Sequence, residues 1–366
     1  MKELHVSQRH RITSIDLFIS IELEVLCIND NILISLAGVE RLANLKQLHV
    51  YNNQLIGITE IKQLTNLTHL DIGHNPLTSL AGIEKLTNLI YLNISRTRII
   101  NPIINIKLLI NLEHLHIMDS ALTSLVGIEN LIKLTFLIIS NNQLTNLAGI
   151  EKLINLEHLN IAYNRLSSIT GIEQLVNLTD LTIADNELVN LVGIESLTKL
   201  IYLNVSNNRL TSLAEIKSLT NIIHLSANNN RLTSLAEIKS LTNIKKLCVF
   251  GAKLKSVSDI GNLINLNELF IDDTRLTSII PIYRLRKLST FSRRGSGIPL
   301  PPVDKLNLIK YVEKNKFNNY NYWQNLRKFP RHFKFTIFNI LKYLLINDFK
   351  SILRTNIHIK WAYPQL

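Results

Sequence analysis

The chain has 366 residues, 46% of them apolar, and a formal charge of +12 at pH 7. That excludes global disorder and leaves ample material for a long core. No run of eighteen uncharged apolar residues occurs, and the first ten residues lack the apolar centre of a signal peptide, so neither a membrane span nor export is expected. Two cysteines cannot make a disulfide scaffold or a zinc cluster, which points to a reducing, cytoplasmic setting.

Residues 1–19 precede any periodicity and are assigned to an N-terminal cap. From residue 20 to 294 leucines recur every 22 residues, in twelve copies beginning at 20, 42, 64, 86, 109, 131, 153, 175, 197, 219, 241 and 263, with a partial copy from Leu285. Taking Leu64 as position 1, apolar residues fall at positions 1, 4, 7, 9, 14, 17 and 20. Positions 7 and 9 alternate with polar 6, 8 and 10, the period of a short strand. Leu70 and Ile72 are predicted to point inward, and His69, Asp71 and Gly73 outward. The three-residue spacing of positions 14, 17 and 20 suits a short 3₁₀ return, and glycine at position 19 in six copies allows a tight backbone there. Glu84, Glu129, Glu151 and Glu173, at position 21, read as a solvated stripe on that return. The copy at 86 is 23 residues long and contains Pro102, which predicts a local outward bulge.

Asparagine at position 12, in eight copies, can pair with backbone groups that the sheet leaves unpaired at the bend after each strand. Thr97, Ser120, Ala252 and Thr274 replace it, so this ladder should weaken there. Residues 207–222 and 229–244 are identical, the mark of an internal duplication. The pattern resembles leucine-rich repeat proteins of the 22-residue class, which include the regulatory subunit of protein phosphatase 1 and the internalins. The resemblance covers residues 20–290. It implies an α/β solenoid: a leucine-rich repeat arc with a concave parallel β-sheet that grips a protein partner, and short 3₁₀ or helical turns on the convex side. The abundance of Asn, Ile and Lys suggests an AT-rich genome, as in giant DNA viruses or some protists.

Outward strand positions line up as columns across such a sheet. Position 6 carries His69, Tyr91, His114, Phe136, His158, Tyr202 and His224, and these are the candidate partner-binding residues. The plainer alternative is that ring residues suit an exposed strand and stack on their neighbours. His114 and His116 share a strand face, but no carboxylate or thiol completes a four-ligand set, so no metal and no cofactor are expected. Cys27 and Cys248, both at position 8 in copies ten strands apart, are too distant for a disulfide. No phosphate loop, dinucleotide fingerprint, nucleophile elbow or metalloprotease helix occurs, so an enzyme is not expected.

Residues 295–366 form a second compositional region, a basic, aromatic segment expected to be helical. Residues 296–366 hold twelve Lys/Arg against three Asp/Glu, and 13 of the chain's 23 Phe, Tyr and Trp, both Trp among them. Helices are expected at about 304–313, 333–345 and 348–354. They would cap the open end of the array. Residues 340–349, Ile-Leu-Lys-Tyr-Leu-Leu-Ile-Asn-Asp-Phe, also resemble part of an F-box helix, which implies a second partner there and a substrate-adaptor role in ubiquitin ligation as the alternative function. Contact of this tail with nucleic acid or acidic lipid is the least favoured reading, since residues 1–295 are nearly neutral. The function expected is that of a non-catalytic scaffold binding a protein on its concave sheet.

Overall fold

A computed structural model describes residues 2–6, 12–15, 22–276, 282 and 284–292. The C-terminal segment from residue 293, with its expected helices and the 340–349 motif, lies outside these residues.

The described chain forms one open sheet of fourteen parallel strands, ordered as in the sequence. They are β1 (Glu3–His5), β2 (Val25–Cys27), β3 (Gln47–His49), β4 (His69–Asp71), β5 (Tyr91–Asn93), β6 (His114–His116) and β7 (Phe136–Ile138). The second half comprises β8 (His158–Asn160), β9 (Asp180–Thr182), β10 (Tyr202–Asn204), β11 (His224–Ser226), β12 (Lys246–Cys248), β13 (Glu268–Phe270) and β14 (Thr290–Ser292). Each is three residues long because only positions 6 to 8 stay extended. The register pairs position 6 with position 6, as in Tyr91 with His114 and Phe136 with His158. Leu70, Leu92, Leu115 and their equivalents at position 7 of β2 to β13 are fully buried, while Leu4 of β1 and Phe291 of β14 are partly buried at the ends. No copy can bury these leucines alone, so stability is carried by the contact between neighbouring copies. This is the expected solenoid arc.

Two strands extend the array at its ends. The partial copy supplies β14. At the other end, within the segment assigned to a cap, β1 pairs with β2 in the same register, Glu3 opposite Val25. Asn31 binds this first turn, its Nδ2 donating to the Val6 carbonyl at 3.0 Å and its Oδ1 accepting from the Ile12 N–H at 3.3 Å.

The returns are 3₁₀ helices of three to five residues on the convex side. Where position 19 is glycine, that residue starts the helix at positive φ, +99° for Gly82 and +102° for Gly193, a region costly for a side chain bearing a Cβ. The position-21 glutamates are not merely solvated. Glu84 Oε2 accepts the Gly82 N–H at 2.9 Å, and Glu129, Glu151 and Glu173 do the same for Gly127, Gly149 and Gly171. Each caps a backbone donor that the short helix leaves free. Where position 19 is itself glutamate, the helix begins with ordinary negative φ at Ile58, Leu213 or Leu235. There the carboxylate reaches the preceding copy instead, Glu60 and Glu237 accepting from Ser35 and Ser212 at 2.8 and 3.2 Å. In the 23-residue copy Pro102 opens a single α-helical turn, Ile103–Ile106, so the extra residue is absorbed by a wider return.

Two asparagine ladders clamp the copies together. In the inner one, at position 12, Asn164 donates to the carbonyls of Ile139, Ile161 and Ala162 at 3.1, 3.1 and 3.2 Å, and accepts from the Leu144 N–H at 3.0 Å. One side chain thus serves four backbone groups in two copies. The substitutes do less, as expected: Thr97 and Thr274 each donate to one carbonyl of their own copy, Ile94 and Ile271, at 3.1 and 2.8 Å. The outer ladder, at position 3, was not anticipated. Asn66, Asn88, Asn155 and Asn177 each donate to a position-2 carbonyl of the copy before, at 2.9 to 3.0 Å. Where lysine holds position 3, it continues the row by binding the previous asparagine, as Lys133 binds Asn111 at 2.7 Å. Cys27 and Cys248 are free thiols on β2 and β12, ten strands apart.

Candidate functional site

The strand register turns position 6 into a column of side chains on the concave sheet. Five of the seven candidate residues form one continuous ring ladder, His69 to Tyr91 to His114 to Phe136 to His158. Ring centroids lie 6.0 Å apart for His69 and Tyr91, 6.4 Å for Tyr91 and His114, 5.5 Å for His114 and Phe136, and 4.2 Å for Phe136 and His158. The last pair is nearly parallel, at 6°. These separations sit in the range where aromatic pairs attract. Asp180, next in the column, interrupts the ladder. Tyr202 and His224 form a separate edge-to-face pair beyond it, 6.3 Å apart.

One residue joins the ladder from position 8. His116 stands between Tyr91 and Phe136, 5.3 Å from each ring. The sequence placed His116 on the right face, but its membership follows only from the register, which sets the ring rows of β5, β6 and β7 side by side. Past the separate pair the face becomes charged. Lys246 pairs with Glu268 at 3.0 Å and lies 5.6 Å from the centre of the Phe270 ring.

The outward face is narrower in places than the period-two pattern predicts, where position 10 is a small residue. Gly73, expected to point out at position 10, is buried. The strand ends at position 8 because position 11 adopts the left-handed conformation in copy after copy, with φ +54° at Asn52 and His74, +55° at Arg96 and Tyr163, and +54° at Asp185. Asn and Asp tolerate this region, while His, Arg and Tyr are held there by the neighbouring copies. Position 11 forms the edge of the face, with its own cross-copy contacts: Asn52 to Asp30 at 2.7 Å and Arg96 to Asp119 at 2.8 Å. An open cleft of about 550 Å³ lies along this edge where Thr97 interrupts the inner ladder, lined by His74, Pro76, Arg96 and Arg98 among others.

Burial sets the charge state of the ladder. It lowers the pKa of His69 and His158 and, with the nearby His114 and His158, brings His116 down to about 4. These three imidazoles are therefore neutral at pH 7, each with one N–H donor and one acceptor nitrogen. Asp71, beside the ladder on β4, is pushed up to about 6 by burial, against the Gly73 N–H and the Asn93 side chain, which favour its ionised form. The ladder thus offers half-buried ring surface with polar edges. Among the described residues, no group of three or more His, Cys, Asp or Glu is placed to hold a metal ion, and no helix is long and apolar enough to cross a membrane.

Comparisons with known proteins agree with this architecture. A family model for leucine-rich repeats, two copies long, matches residues 65–108 and 132–175. A leucine-rich repeat protein of Leptospira interrogans has a similar structure, with 27% identity and a TM-score of 0.72 over 86% of this chain and 88% of that one. An internalin, InlF of Listeria monocytogenes, gives 26% and 0.70 over 73% and 80%. A plant peptide hormone receptor, RGFR1, solved in complex with RGF2, shares the fold at 20% identity and a TM-score of 0.54, over 75% of this chain and 55% of that one. No curated protein matches the chain. Repeat period, fourteen-stranded sheet and structural neighbours together show an array of leucine-rich repeats whose fold is similar to that of an internalin.

Proposed function

We propose that the protein is a non-catalytic interaction scaffold that binds a protein partner on its concave sheet, centred on the ladder from His69 to His158. The observation that supports this reading is the continuity of the ladder. Six half-buried rings from five neighbouring strands form one surface, and aromatic residues with polar tips are the side chains that dominate protein interfaces. The rings stack on one another and hold their rotamers, so little side-chain freedom remains to be lost on binding. The neutral imidazoles of His69, His116 and His158 keep the desolvation cost low.

The test compares affinity capture by the full chain with capture by Tyr91→Ser/Phe136→Ser, using Ile34→Thr/Ile56→Thr, two exposed residues outside the strands, as the control. The expected result is that specific partners are lost with the concave pair and kept by the control. Partners retained by the concave pair, with the array still folded by circular dichroism, would remove the ladder as the binding site.

A further inference from the structure

A second surface lies away from the concave sheet. Position 2 of each copy sits on the turn that leads into the strand. In four consecutive copies it is a large aliphatic residue: Ile110, Ile132, Ile154 and Val176, which are 53%, 54%, 53% and 47% exposed. Ala43, Thr65, Thr87, Thr198, Thr220 and Thr242 hold the same position in neighbouring copies, and Ile264 stands isolated near the end. The fold therefore does not require an aliphatic residue here. The row is fixed in place, because the outer asparagine ladder binds its carbonyls: Asn155 to Ile132 and Asn177 to Ile154, both at 2.9 Å. Aligned exposed aliphatic residues on successive copies of a rigid array are a mark of an interaction surface.

The charge around the row is distinctive. Residues 109–196, which contain it, carry ten Asp/Glu and three Lys/Arg. Glu129, Glu151 and Glu173 each precede a row residue by three positions, and Glu113 and Glu157 follow one by three. The next three copies, residues 197–262, are the reverse, with nine Lys/Arg and three Asp/Glu. The C-terminal region 296–366 is both strongly basic, with twelve Lys/Arg against three Asp/Glu, and rich in apolar and aromatic residues. Its charge is repelled by the adjacent basic copies and attracted by the acidic ones beyond them.

We propose that the occupant of the Ile110–Val176 row is this chain's own C-terminal region, its apolar residues on the aliphatic row and its lysines toward the flanking glutamates. The reach is sufficient. The centre of the row, between β7 and β8, lies six to seven strands from β14, or about 30 Å at the sheet spacing. The forty residues from 293 to 332 span up to about 130 Å when extended, before the apolar stretch at 333–345 begins. The pairing places the tail outside the concave face, which stays open to a partner. It also assigns the tail a seat beyond the end of the array that a terminal cap would cover.

Zero-length carbodiimide cross-linking of the full chain, read by mass spectrometry, tests this. The probe is an equal mixture of ¹⁴N- and ¹⁵N-labelled protein. The expected links join Lys334, Lys342 or Lys350 to Glu113, Glu129, Glu151, Glu157 or Glu173, within chains of one isotope. Their yield should fall by about tenfold in Ile110→Thr/Ile132→Thr/Ile154→Thr/Val176→Thr, and should also drop at high salt. Threonine is the residue other copies use at this position, so the array should keep its melting temperature. The milder Ile132→Thr/Ile154→Thr pair gives the same readout should the fourfold variant unfold. Three results would each overturn the proposal: links confined to Asp259, Glu268 and Asp272, which indicate a cap at the array end; links of mixed isotope, which indicate a second copy; or yields unchanged in folded threonine variants.

Discussion

The stretch from residue 142 to 230 and the stretch from 64 to 141 are built on one plan and differ in where their irregularities lie. In the first, the inner asparagine ladder is unbroken, with Asn142, Asn164, Asn186, Asn208 and Asn230 in register, and the concave position 8 carries the small polar residues Asn160, Thr182, Asn204 and Ser226. In the second, Thr97 and Ser120 interrupt the ladder, the copy at 86 is 23 residues long and returns through an α-helical turn, and most of the concave rings gather. The ring surface thus lies over the least regular part of the scaffold. The difference shows that the repeat's stability and its surface chemistry use separate positions. Inward leucines and position-12 groups hold copies together, while positions 6 and 8 vary without disturbing them.

The largest expected effect tests that separation directly. Leu159→Ala removes a fully buried side chain and should cost about 2–5 kcal/mol. His158→Ala, one residue earlier on the same strand, removes a ring stacked on Phe136 and should cost at most about 0.5–1.5 kcal/mol. Urea unfolding of both variants measures the gap, and equal losses would contradict the strand phase.

The two stretches should also respond differently at position 12. Asn164→Ala leaves several buried backbone groups unpaired and should cost about 1–3 kcal/mol. Thr97→Ala breaks one hydrogen bond and should cost about 1 kcal/mol or less. If Thr97→Ala proved the more damaging, the weakened ladder would not be the source of the irregularity. On the convex side, Glu151→Ala deprives the Gly149 N–H of its carboxylate cap and should lower stability by about 0.5–1.5 kcal/mol, whereas a merely solvated glutamate would give no change.

The last expected effect concerns pH and uses two groups of the ring-rich stretch. His116 has a folded pKa of about 4 against an ordinary 6.5. The unfolded chain takes up this proton first, so stability is lost as pH falls from about 6.5 toward 4. Asp71 works in the opposite sense. Its folded pKa of about 6 exceeds the ordinary 3.8, so its contribution is greatest at low pH and is lost as pH rises from 3.8 through 6. His116→Gln should therefore flatten the loss between pH 6.5 and 4, and Asp71→Asn should flatten the loss between 3.8 and 6. Melting temperatures across that window check both, and a profile unchanged in His116→Gln would mean that burial does not set its charge.

Much of this was legible in the 22-residue period. Inward leucines, the parallel strands, the 3₁₀ returns and the asparagine bend residues each repeat often enough that a single physical role explains all copies. The first strand escaped notice because Glu3-Leu4-His5-Val6 carries the strand pattern once, without the asparagine and glycine that mark a full copy. The glutamate caps were missed because an exposed carboxylate two residues after a glycine looks like ordinary solvated charge until the glycine's left-handed φ turns its N–H toward it.

The sequence by itself determined the solenoid, since leucines at this spacing can be buried only by stacking copies. It also determined which residues share the concave face, because side chains alternate along any strand. Tertiary structure alone decided which of those residues touch. The left-handed bend at position 11 ends each strand at position 8, and position 10 is buried at Gly73, Ser95, Ala162, Ala184 and Ser206 but half-buried at Tyr51, Met118 and Phe250. The parallel register then sets His116 between Tyr91 and Phe136, and leaves Tyr202 and His224 apart from the ladder beyond Asp180. Such contacts depend on distances between residues 22 or more apart in the chain, which the backbone fixes only once the copies have stacked.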